Sequence, residues 1–416
     1  MRVLYLCHRF PFPPARGGKI RPFNMIRHLN ERHEVVVASL ARSREEALQG
    51  AGIAEHCTRY HVGSISTAAA VARMALRLPT PTPSSMGYFR SPEAVRYVRS
   101  ELARNEFDLV FVHCSSVAPY VEDYRGARKI LDFGDMDSQK WLAYAEFRPF
   151  PLSLGYRLEG IKMRRAEERL AGKFDTCTCT TRAELETLLS YRAARRTDWF
   201  PNGVDSEYFQ PSAEPYEPDT ISFVGRMDYF PNQQCMVDFC RTTLPIVRAR
   251  RPGVRLRIIG ANPSRRILRL GSIPGVTVTG SVPDVRPHVR STAVNVAPLA
   301  IARGTQNKIL EAMAMGMPVV TSALAAGGVD AVPGRDLLTA PTSRECAEAI
   351  LRLLENPKER RQFAEAARER VLSHHTWERS MRELDRIVDE CLAAPGDAPA
   401  TRVGRAETAS GEGATR

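Results

Sequence analysis

The chain has 416 residues, of which 43% are hydrophobic and 25% charged, as is usual for a globular protein of two or three domains. No apolar run reaches the roughly 18 residues that a transmembrane helix needs. The nearest approach, residues 66–78, is interrupted by Arg73 and Arg77. The formal net charge of +12 indicates an anionic partner, such as a membrane surface, a lipid pyrophosphate or a nucleic acid.

This charge is uneven along the chain. Residues 1–200 hold 31 Lys and Arg against 22 Asp and Glu, a net charge of +9, whereas the other 216 residues hold 28 against 25, a net charge of +3. No nucleic-acid-binding module accompanies the charge, so we expect no nucleic-acid partner. A basic surface that serves only solubility is the alternative to an anionic partner.

The first residues and the cysteines indicate the compartment. An apolar run at residues 3–7 is ended by Arg9 and Pro11 too early for a signal peptide, and no small-residue cleavage site follows. We therefore predict a first β-strand and a cytoplasmic protein. Nine cysteines without a Cys-x-x-Cys pair fit a reducing compartment. Cys177 and Cys179 are interpreted as core residues on one strand face, not as metal ligands.

Short apolar runs alternate with helical stretches throughout, which predicts right-handed βαβ units around parallel sheets. The predicted strands of the first half are residues 3–7, 34–40, 109–113, 129–133 and 176–181. Those of the second half are residues 220–224, 256–259, 276–279, 294–297, 319–321 and 337–339. Because the series starts twice, the sequence predicts two Rossmann-like domains that face a central cleft.

Turn-forming and polar residues mark the limits of these domains. A turn-rich stretch at 200–211 and a polar, Pro-containing connector place the boundary near 200–218. We predict an N-terminal domain at 1–200 and a C-terminal domain at 201–375. Residues 376–392 are expected to form a closing helix that packs back on the N-terminal domain. Residues 393–416 have little to bury and are expected to be disordered.

Several loops at strand ends carry polar groups in the first half. Gly17 and Gly18 let the backbone approach a ligand, and a helix starting near Arg21 would point its positive end there. His113 ends a predicted strand, where it is either a donor or base in the cleft or a satisfied core histidine. Asp135 and Asp137 are spaced like a metal-binding pair, but we favour a helix cap or cleft wall, with Asp137 or Ser138 as the cap.

The second half has three such stretches. Gly225 and Arg226 follow a strand, and a guanidinium there can bind phosphate through two hydrogen bonds. The turn at residues 280–287 is a weaker candidate for bracketing a nucleotide base. The richest stretch is 302–322, where Thr305 is the predicted N-cap of a helix at residues 308–315. The amides at its start form an anion site, Lys308 adds charge, and Glu311 lies about 9 Å along the axis, where a ribose would fit.

Five motifs in this order resemble the retaining GT-B glycosyltransferases of glycosyltransferase family four. They are PxxxGG at 14–18, PNGVD at 201–205, FVGR at 223–226, TGSV at 279–282 and ILEAMAMGMPVV at 309–320. The opening segment and the QNKILEAMAMGMPVV block further resemble a subgroup that assembles bacterial exopolysaccharide. The resemblance covers residues 1 to about 392.

The resemblance implies transfer of a sugar from a nucleotide-diphosphate sugar, with retention at the anomeric carbon and with no cofactor or obligatory metal. The acceptor would be a glycan or a lipid-linked glycan, reached at the inner face of the membrane through the basic N-terminal domain. The implied catalytic residues are His113, Arg226 and Lys308. The implied donor-binding residues are Gly17, Gly18, Gly225, Arg226, Val282, Arg303, Gly304, Thr305, Gln306, Asn307, Lys308 and Glu311.

The sequence departs from this family at two positions. Arg303 stands where the first carboxylate of the usual Glu-x7-Glu pair is expected, and Pro231 stands where a lysine often follows the phosphate turn. We predict that Lys308 supplies the missing positive charge. Two alternatives stay open: a nucleotide-sugar epimerase on the same architecture, and a non-catalytic protein that binds a nucleotide or a partner, which Arg303 would fit. A dehydrogenase is disfavoured because no Gly-x-Gly-x-x-Gly follows the first strand.

Overall fold

The computed structural model describes residues 1–15 and 17–394 and contains two parallel β-sheets flanked by helices. The first sheet consists of β1 (Arg2–Cys7), β2 (Glu34–Ala41), β3 (Arg59–Ser64), β4 (Leu109–His113), β5 (Arg128–Gly134), β6 (Thr176–Cys179) and β7 (Thr197–Trp199). The second consists of β8 (Glu217–Val224), β9 (Arg255–Ile259), β10 (Val276–Val278), β11 (Thr292–Ala297), β12 (Val319–Thr321) and β13 (Leu338–Thr339).

The helices lie on both faces of these sheets. In the first half they are α1 (Gly17–Asn30), α2 (Arg44–Gln49), α3 (Thr67–Arg77), α4 (Ser84–Tyr88), α5 (Pro92–Arg104), α6 (Asp137–Glu146), α7 (Leu152–Ala171) and α8 (Arg182–Ser190). In the second half they are α9 (Phe230–Asp238), α10 (Leu244–Arg250), α11 (Arg265–Leu268), α12 (Arg286–Arg290), α13 (Asn307–Ala314), α14 (Ala323–Ala326), α15 (Ser343–Glu355), α16 (Pro357–His374) and α17 (Trp377–Ala393). None of the described helices is both long and apolar enough to cross a membrane.

The strand order confirms the predicted α/β architecture of two Rossmann-like domains. The first sheet runs β3-β2-β1-β4-β5-β6-β7 and the second β10-β9-β8-β11-β12-β13, with every neighbouring pair parallel. In both sheets the order reverses beside the first strand of the domain, and ligands bind at such switch points in open α/β folds. The loops after β1, β4, β8 and β11 therefore lie where a ligand is expected.

Two edge strands were missed by the sequence analysis, and one predicted strand is too long. β3 pairs with β2 through the register Val36–Arg59, but half of its six residues are exposed and one is buried, so it has no apolar run. β7 has only three residues, none fully buried. The strand predicted at 176–181 ends at Cys179 because Thr181 already caps α8. A strand at the edge of a sheet needs apolar residues on fewer faces, so hydrophobic patterning does not find it.

The last described helix, α17, packs against the first sheet. Trp377 and Leu384 of α17 belong to the same buried cluster as Val3, Tyr5 and Phe111 of the first sheet. The second domain has a separate core around β8, β11 and α13. The ends of α15 at Glu355 and of α16 at His374 separate these helices from each other and from α17. The tail predicted to be disordered lies outside the described residues except for 393–394.

The carboxyl ends of the two sheets face each other, and direct contacts join them. The hydroxyl of Tyr144, which lies in α6, donates to the hydroxyl of Tyr229, the residue just before α9, at 3.0 Å. Asn202, in the segment between the domains, donates to the side chain of Asn307 at 3.4 Å. The predicted central cleft is therefore present, and its two walls touch around the start of α13.

Candidate functional site between the two domains

The start of α13 differs in detail from the prediction. The helix begins at Asn307 with Gln306 in the N-cap position, and no side chain caps it. The prediction that Thr305 is the N-cap is therefore wrong, and its buried hydroxyl oxygen has no hydrogen-bond partner. The chain turns into the helix through Gly304, whose φ is +59°. Because no side chain satisfies the first amides of α13, they remain able to bind an anion.

Lys308 connects α13 to the turn after β8. Its ammonium donates to the Asn232 side-chain oxygen and lies 5.0 Å from the centroid of the Phe223 ring. The Asn232 amide in turn donates to the carbonyl of Arg226 at 2.8 Å. Burial lowers the pKa of Lys308 to about 8, although nearby Cys235 and Glu311 favour its charged form. The structure therefore brings together the FVGR turn and the start of α13, as the motifs suggested.

Asn232 was not assigned a role from the sequence. It follows the Phe-Pro pair that begins α9, and this position places its side chain between the two phosphate-site candidates. It is 3% exposed. An asparagine at a helix start is ordinarily interpreted as a local turn residue, so only the fold reveals its contact with Lys308.

Glu311 lies about one turn further along α13, on the same side of the helix as Lys308. Burial raises the pKa of its carboxyl to about 7, and the Lys308 charge partly opposes this shift. The carboxylate is therefore poorly solvated in this structure and gains from hydroxyl donors such as those of a ribose.

Arg226 is not directed at the start of α13. Its guanidinium binds the carboxylate of Asp228, with Nε 3.0 Å from Oδ1. Gly225 leaves no room for a side chain, since a Cβ there would lie 2.7 Å from the Asn232 amide nitrogen. Val282 lies apart from this group and packs, partly buried, against the core of the second domain. Arg226 therefore reaches the start of α13 only if it leaves Asp228.

The predicted glycine loop is the first turn of a helix. α1 begins at Gly17, so the prediction that the helix starts near Arg21 is wrong. A Cβ on Gly17 would lie 3.4 Å from the Asn307 side chain, whereas Gly18 faces Arg9. Lys19 and Arg21 of this helix do not present free positive charge to the cleft, because both are paired with carboxylates. Lys19 pairs with Glu46 at 2.9 Å, and Arg21 pairs with a buried aspartate.

That aspartate, Asp132, orients His113. Its carboxylate accepts from His113 Nδ1 at 2.7 Å and from the Arg21 guanidinium at 2.9 and 3.0 Å. Burial disfavours the charged carboxylate, but the Arg21 charge and the His113 hydrogen bond hold the pKa of Asp132 well below its usual range. The same guanidinium donates to Phe200 and Asn202 in the inter-domain segment. A fixed imidazole at the end of β4 is suited to hydrogen bonding in the cleft.

A second histidine near His113 was not identified from the sequence. His8 directly follows β1, and its ring centroid lies 6.0 Å from that of His113. Its Nε2 accepts from Arg9 at 3.1 Å, while its buried Nδ1 has no partner. Burial and the Arg9 charge lower the pKa of His8 well below its usual value, so the ring is neutral near pH 7. The position of His8 directly after a predicted strand is the sequence feature that could have identified it as a candidate site residue.

The pair of carboxylates that directly follows β5, Asp135 and Asp137, lies in the wall of the cleft. Asp137 is the first residue of α6 and contacts Lys140 at 3.4 Å, so the prediction that Asp137 or Ser138 caps this helix is wrong. Burial and the charge of Asp137 raise the pKa of Asp135, which accepts from Thr180 at 3.1 Å. Among residues 1–15 and 17–394, no group of three or more His, Cys, Asp or Glu is placed to hold a metal ion.

Gly304 is where this wall touches the second domain. A Cβ on Gly304 would lie 1.6 Å from Asp135 Oδ1, and Glu184 of α8 stands nearby with a pKa that burial raises to about 7. Arg303 lines a small cavity here with Lys140, and no described residue is a hydrogen-bond or ion-pair partner of its guanidinium. The residue that departs from the family pattern is thus a cation in the cleft that has no hydrogen-bonded partner among the described residues, although its charge acts on the carboxyl of Glu184.

We predict that Gly304→Ala destabilises the protein by more than backbone strain alone. A residue with a Cβ at positive φ costs about 1–2 kcal/mol, and here the methyl group would also overlap Asp135. Gly334→Ala is the matched control, because Gly334 has φ +80° and no atom within 4 Å of the added Cβ. Denaturant unfolding of both variants measures the difference, and equal losses of unfolding free energy would contradict the packing argument.

Comparisons with known proteins define the class of this cleft. The family model described as Glycosyltransferase Family 4 matches residues 16–208, and the model described as Glycosyl transferases group 1 matches residues 218–356. Each domain thus matches a glycosyltransferase model. The chain is a glycosyltransferase of the GT-B type. No curated protein is similar enough in sequence to give a match.

Solved structures of this fold are similar over nearly the whole chain. Sucrose-phosphate synthase from Thermosynechococcus elongatus has a TM-score of 0.70 at 17% identity and covers 95% of this chain and 100% of its own. Anabaena Alr3699/HepE in complex with UDP has a TM-score of 0.66 at 16% identity, with 94% and 100% coverage. A glycosyltransferase from Rickettsia africae ESF-5 has a TM-score of 0.61 at 12% identity, with 95% and 99% coverage. At such identities the likeness establishes the fold.

Proposed function

We propose that the protein transfers a hexose from a nucleotide-diphosphate sugar to a glycan or lipid-linked acceptor, with retention at the anomeric carbon. One observation carries the proposal: Lys308, the uncapped amides of α13 and the start of α1 meet where the switch points of both sheets face each other. This arrangement suits a diphosphate held between two domains. Anabaena Alr3699/HepE, which is similar in fold, was solved with UDP and with UDP-glucose.

The residues of the second domain would stabilise the leaving diphosphate. Lys308 and the amides near Thr305 to Asn307 would bear the negative charge that develops as the glycosidic bond breaks. Arg226 would join them after exchanging Asp228 for phosphate. Glu311 would accept hydrogen bonds from the ribose, and Gly225 and Val282 would border the nucleotide.

The residues of the first domain would face the sugar and the acceptor. His113, fixed by Asp132, would bind a hydroxyl of the donor sugar or acceptor. Gly17 and Gly18 would bring the start of α1 to the diphosphate. Arg303, Gly304 and Gln306 would line the donor side of the cleft. Domain closure would exclude water, and the Tyr144–Tyr229 contact between the two domains supports this.

We further propose that the acceptor belongs to bacterial exopolysaccharide or another cell-surface glycan, and that transfer takes place at the cytoplasmic face of the membrane. The motif resemblance and the net charge of +9 in residues 1–200 support this. The proposed transfer reaction involves no nucleic acid.

Product analysis with UDP-glucose and a panel of glycan and lipid-diphosphate acceptors tests the function. We expect acceptor-dependent UDP release and a product whose anomeric proton, observed by NMR, has the donor's configuration. Conversion of the nucleotide sugar without an acceptor would favour the epimerase. Binding of UDP-glucose without turnover on any acceptor would favour the non-catalytic alternative.

Nucleotide affinity is predicted to fall as the solution becomes alkaline. Lys308 is charged below its pKa of about 8 and neutral above it, so its attraction to the diphosphate is complete below pH 8 and is lost above. Calorimetric titration with UDP between about pH 7 and about pH 9.5 should show affinity falling by up to about tenfold per pH unit above pH 8. In Lys308→Ala the affinity should be low and independent of pH over this range, whereas a decline identical to the native one would contradict the assignment.

A further inference from the structure

Two helices of the first domain expose an unusual number of large apolar side chains. On and before α7, Phe150 is 81% exposed, Leu152 57%, Leu154 51%, Leu158 50% and Ile161 39%. At the end of α3, Leu76 is 75% and Leu78 67% exposed. The Lys162 ammonium donates to the carbonyls of Arg77 and Leu78, so the two helices lie side by side. We call this surface the α3–α7 face.

The charge of the segments that form the α3–α7 face is mainly positive, although Arg164 pairs with Glu168 further along α7 at 3.0 Å. Residues 66–78 and 148–165 contain seven arginines and lysines, and Glu159 is their one carboxylate. Glu159 is occupied at the start of α4, where it accepts from the amides of Ser84 and Ser85 at 3.0 and 2.7 Å. Exposed apolar side chains surrounded by cations match a bilayer surface that contains anionic lipids.

The α3–α7 face also borders the cleft. Tyr156 of α7 packs on Trp141 of α6 at 5.5 Å, and Arg148 lies over Phe230 of the second domain at 3.9 Å. Tyr144 of α6 contacts Tyr229 across the cleft. A lipid held at this face would therefore have its head group near the opening of the cleft.

We propose that the α3–α7 face docks on an anionic membrane and presents lipid-linked acceptors to the cleft. This inference rests on the proposed function for the acceptor, but membrane docking is measured independently of it. The occupant is a bilayer rather than a second copy of the chain, because two copies would bring the same cations together.

Sedimentation with vesicles tests the docking. We expect the full chain to bind vesicles of phosphatidylglycerol and phosphatidylcholine, and to bind vesicles of phosphatidylcholine alone at least about tenfold more weakly. The triple variant Phe150→Ser, Leu154→Ser, Leu158→Ser should lose at least about tenfold in affinity for the anionic vesicles. Leu372→Ser, at a leucine 48% exposed on α16 of the second domain, is the matched control and should bind as the native chain does.

Two measurements distinguish this inference from its rivals. The UDP affinity of the triple variant should equal that of the native chain. This result would show that the variant folds, and it would separate a failure of membrane docking from a failure of the proposed function. Light scattering should show the same oligomeric state for both. Undiminished vesicle binding by the triple variant, absence of binding to anionic vesicles, or dissociation of a native dimer in the variant would each overturn the proposal.

A separate observation concerns the donor sugar. The cavity between the domains is lined by Lys140 and Arg303, by the hydroxyls of Tyr144 and Tyr229 and by the Gln306 amide, with no carboxylate among its lining residues. It adjoins the start of α13 through Gln306 and Asn232, so the group beyond the diphosphate would enter it. In this closed arrangement its volume is about 30 Å³, so a sugar enters only when the domains separate.

We infer that Arg303 selects a donor whose transferred sugar carries a carboxylate. The inference rests on the proposed function. Lys140 is already paired with Asp137. The Arg303 guanidinium forms no hydrogen bond or ion pair with a described residue, and the carboxyl on which its charge acts, that of Glu184, does not line the cavity. A uronate carboxylate would complete its hydrogen bonding through two parallel contacts.

Calorimetry with UDP, UDP-glucose and UDP-glucuronate tests the selection. We expect UDP-glucuronate to bind at least about tenfold more tightly than UDP-glucose, and Arg303→Glu to abolish or reverse this preference, measured as the ratio of the two affinities in the same variant. Arg99→Glu, an exposed site on α5, is the control with the same charge change. Equal affinities of the native chain for the two sugars would overturn this inference alone. Absence of binding to UDP would overturn the proposed function and the inference with it.

Discussion

Replacement of Lys308 by alanine is expected to lower kcat/KM for sugar transfer by about 10²- to 10³-fold. The change removes a poorly solvated cation next to the leaving diphosphate, and loss of one preorganised donor at a developing charge costs this much in other enzymes. It also leaves the Asn232 side-chain oxygen without its donor. The fold should survive, because the ammonium contacts polar groups at the cleft and is not part of the core.

Lys358→Ala provides the control for this experiment. Lys358 is an exposed residue in the first turn of α16, a helix that contributes none of the proposed site residues. Its variant should retain native kcat/KM and native melting temperature. If Lys308→Ala also retained native kcat/KM, the proposed diphosphate site would be in the wrong place.

Replacement of Asp132 by asparagine is expected to lower the free energy of unfolding by about 3–5 kcal/mol, because it removes the negative charge from a buried ion pair. Arg21 is 2% exposed and Asp132 0% exposed, so the guanidinium would lose its counter-charge without access to water. The stabilisation is complete above about pH 3.9, the unfolded pKa of an aspartate, and is lost as the pH falls toward the depressed folded pKa.

Glu34→Gln is the matched carboxylate-to-amide control. Glu34 binds Arg2 at 2.9 Å with side chains 38% and 37% exposed, and such surface pairs contribute about 0–1 kcal/mol. Denaturant unfolding near pH 7 compares the two variants. Similar losses of unfolding free energy would show that the Arg21–Asp132 pair does not hold the first domain to the inter-domain segment.

The sequence predicted the sheets because buried parallel strands are continuous apolar runs. Strands β1, β4 and β11 have this pattern and were found within one or two residues, whereas the edge strands β3 and β7 lack it and were missed. The start of α13 was also located closely, because Gly304 and the apolar spacing after it are local signals.

Long-range contacts set the limits of prediction in the site. Arg21 has the appearance of a ligand-facing cation in its own segment, but Asp132, 111 positions away, neutralises it. Asn232 and His8 gain their place from partners on other elements. Thr305 has the residue type of an N-cap, yet the turn at Gly304 gives that position to Gln306. No local pattern encodes these pairings, since each depends on which loops the two domains bring together.

A crystal structure of the full chain with UDP is the most direct test of the central claim. We expect the diphosphate to lie against the amides of Thr305 to Asn307, with Lys308 Nζ within hydrogen-bond distance of a phosphate oxygen and Glu311 at the ribose. Arg226 should have left Asp228 for the phosphate. UDP bound elsewhere, or a diphosphate that touches neither Lys308 nor the first turn of α13, would contradict it.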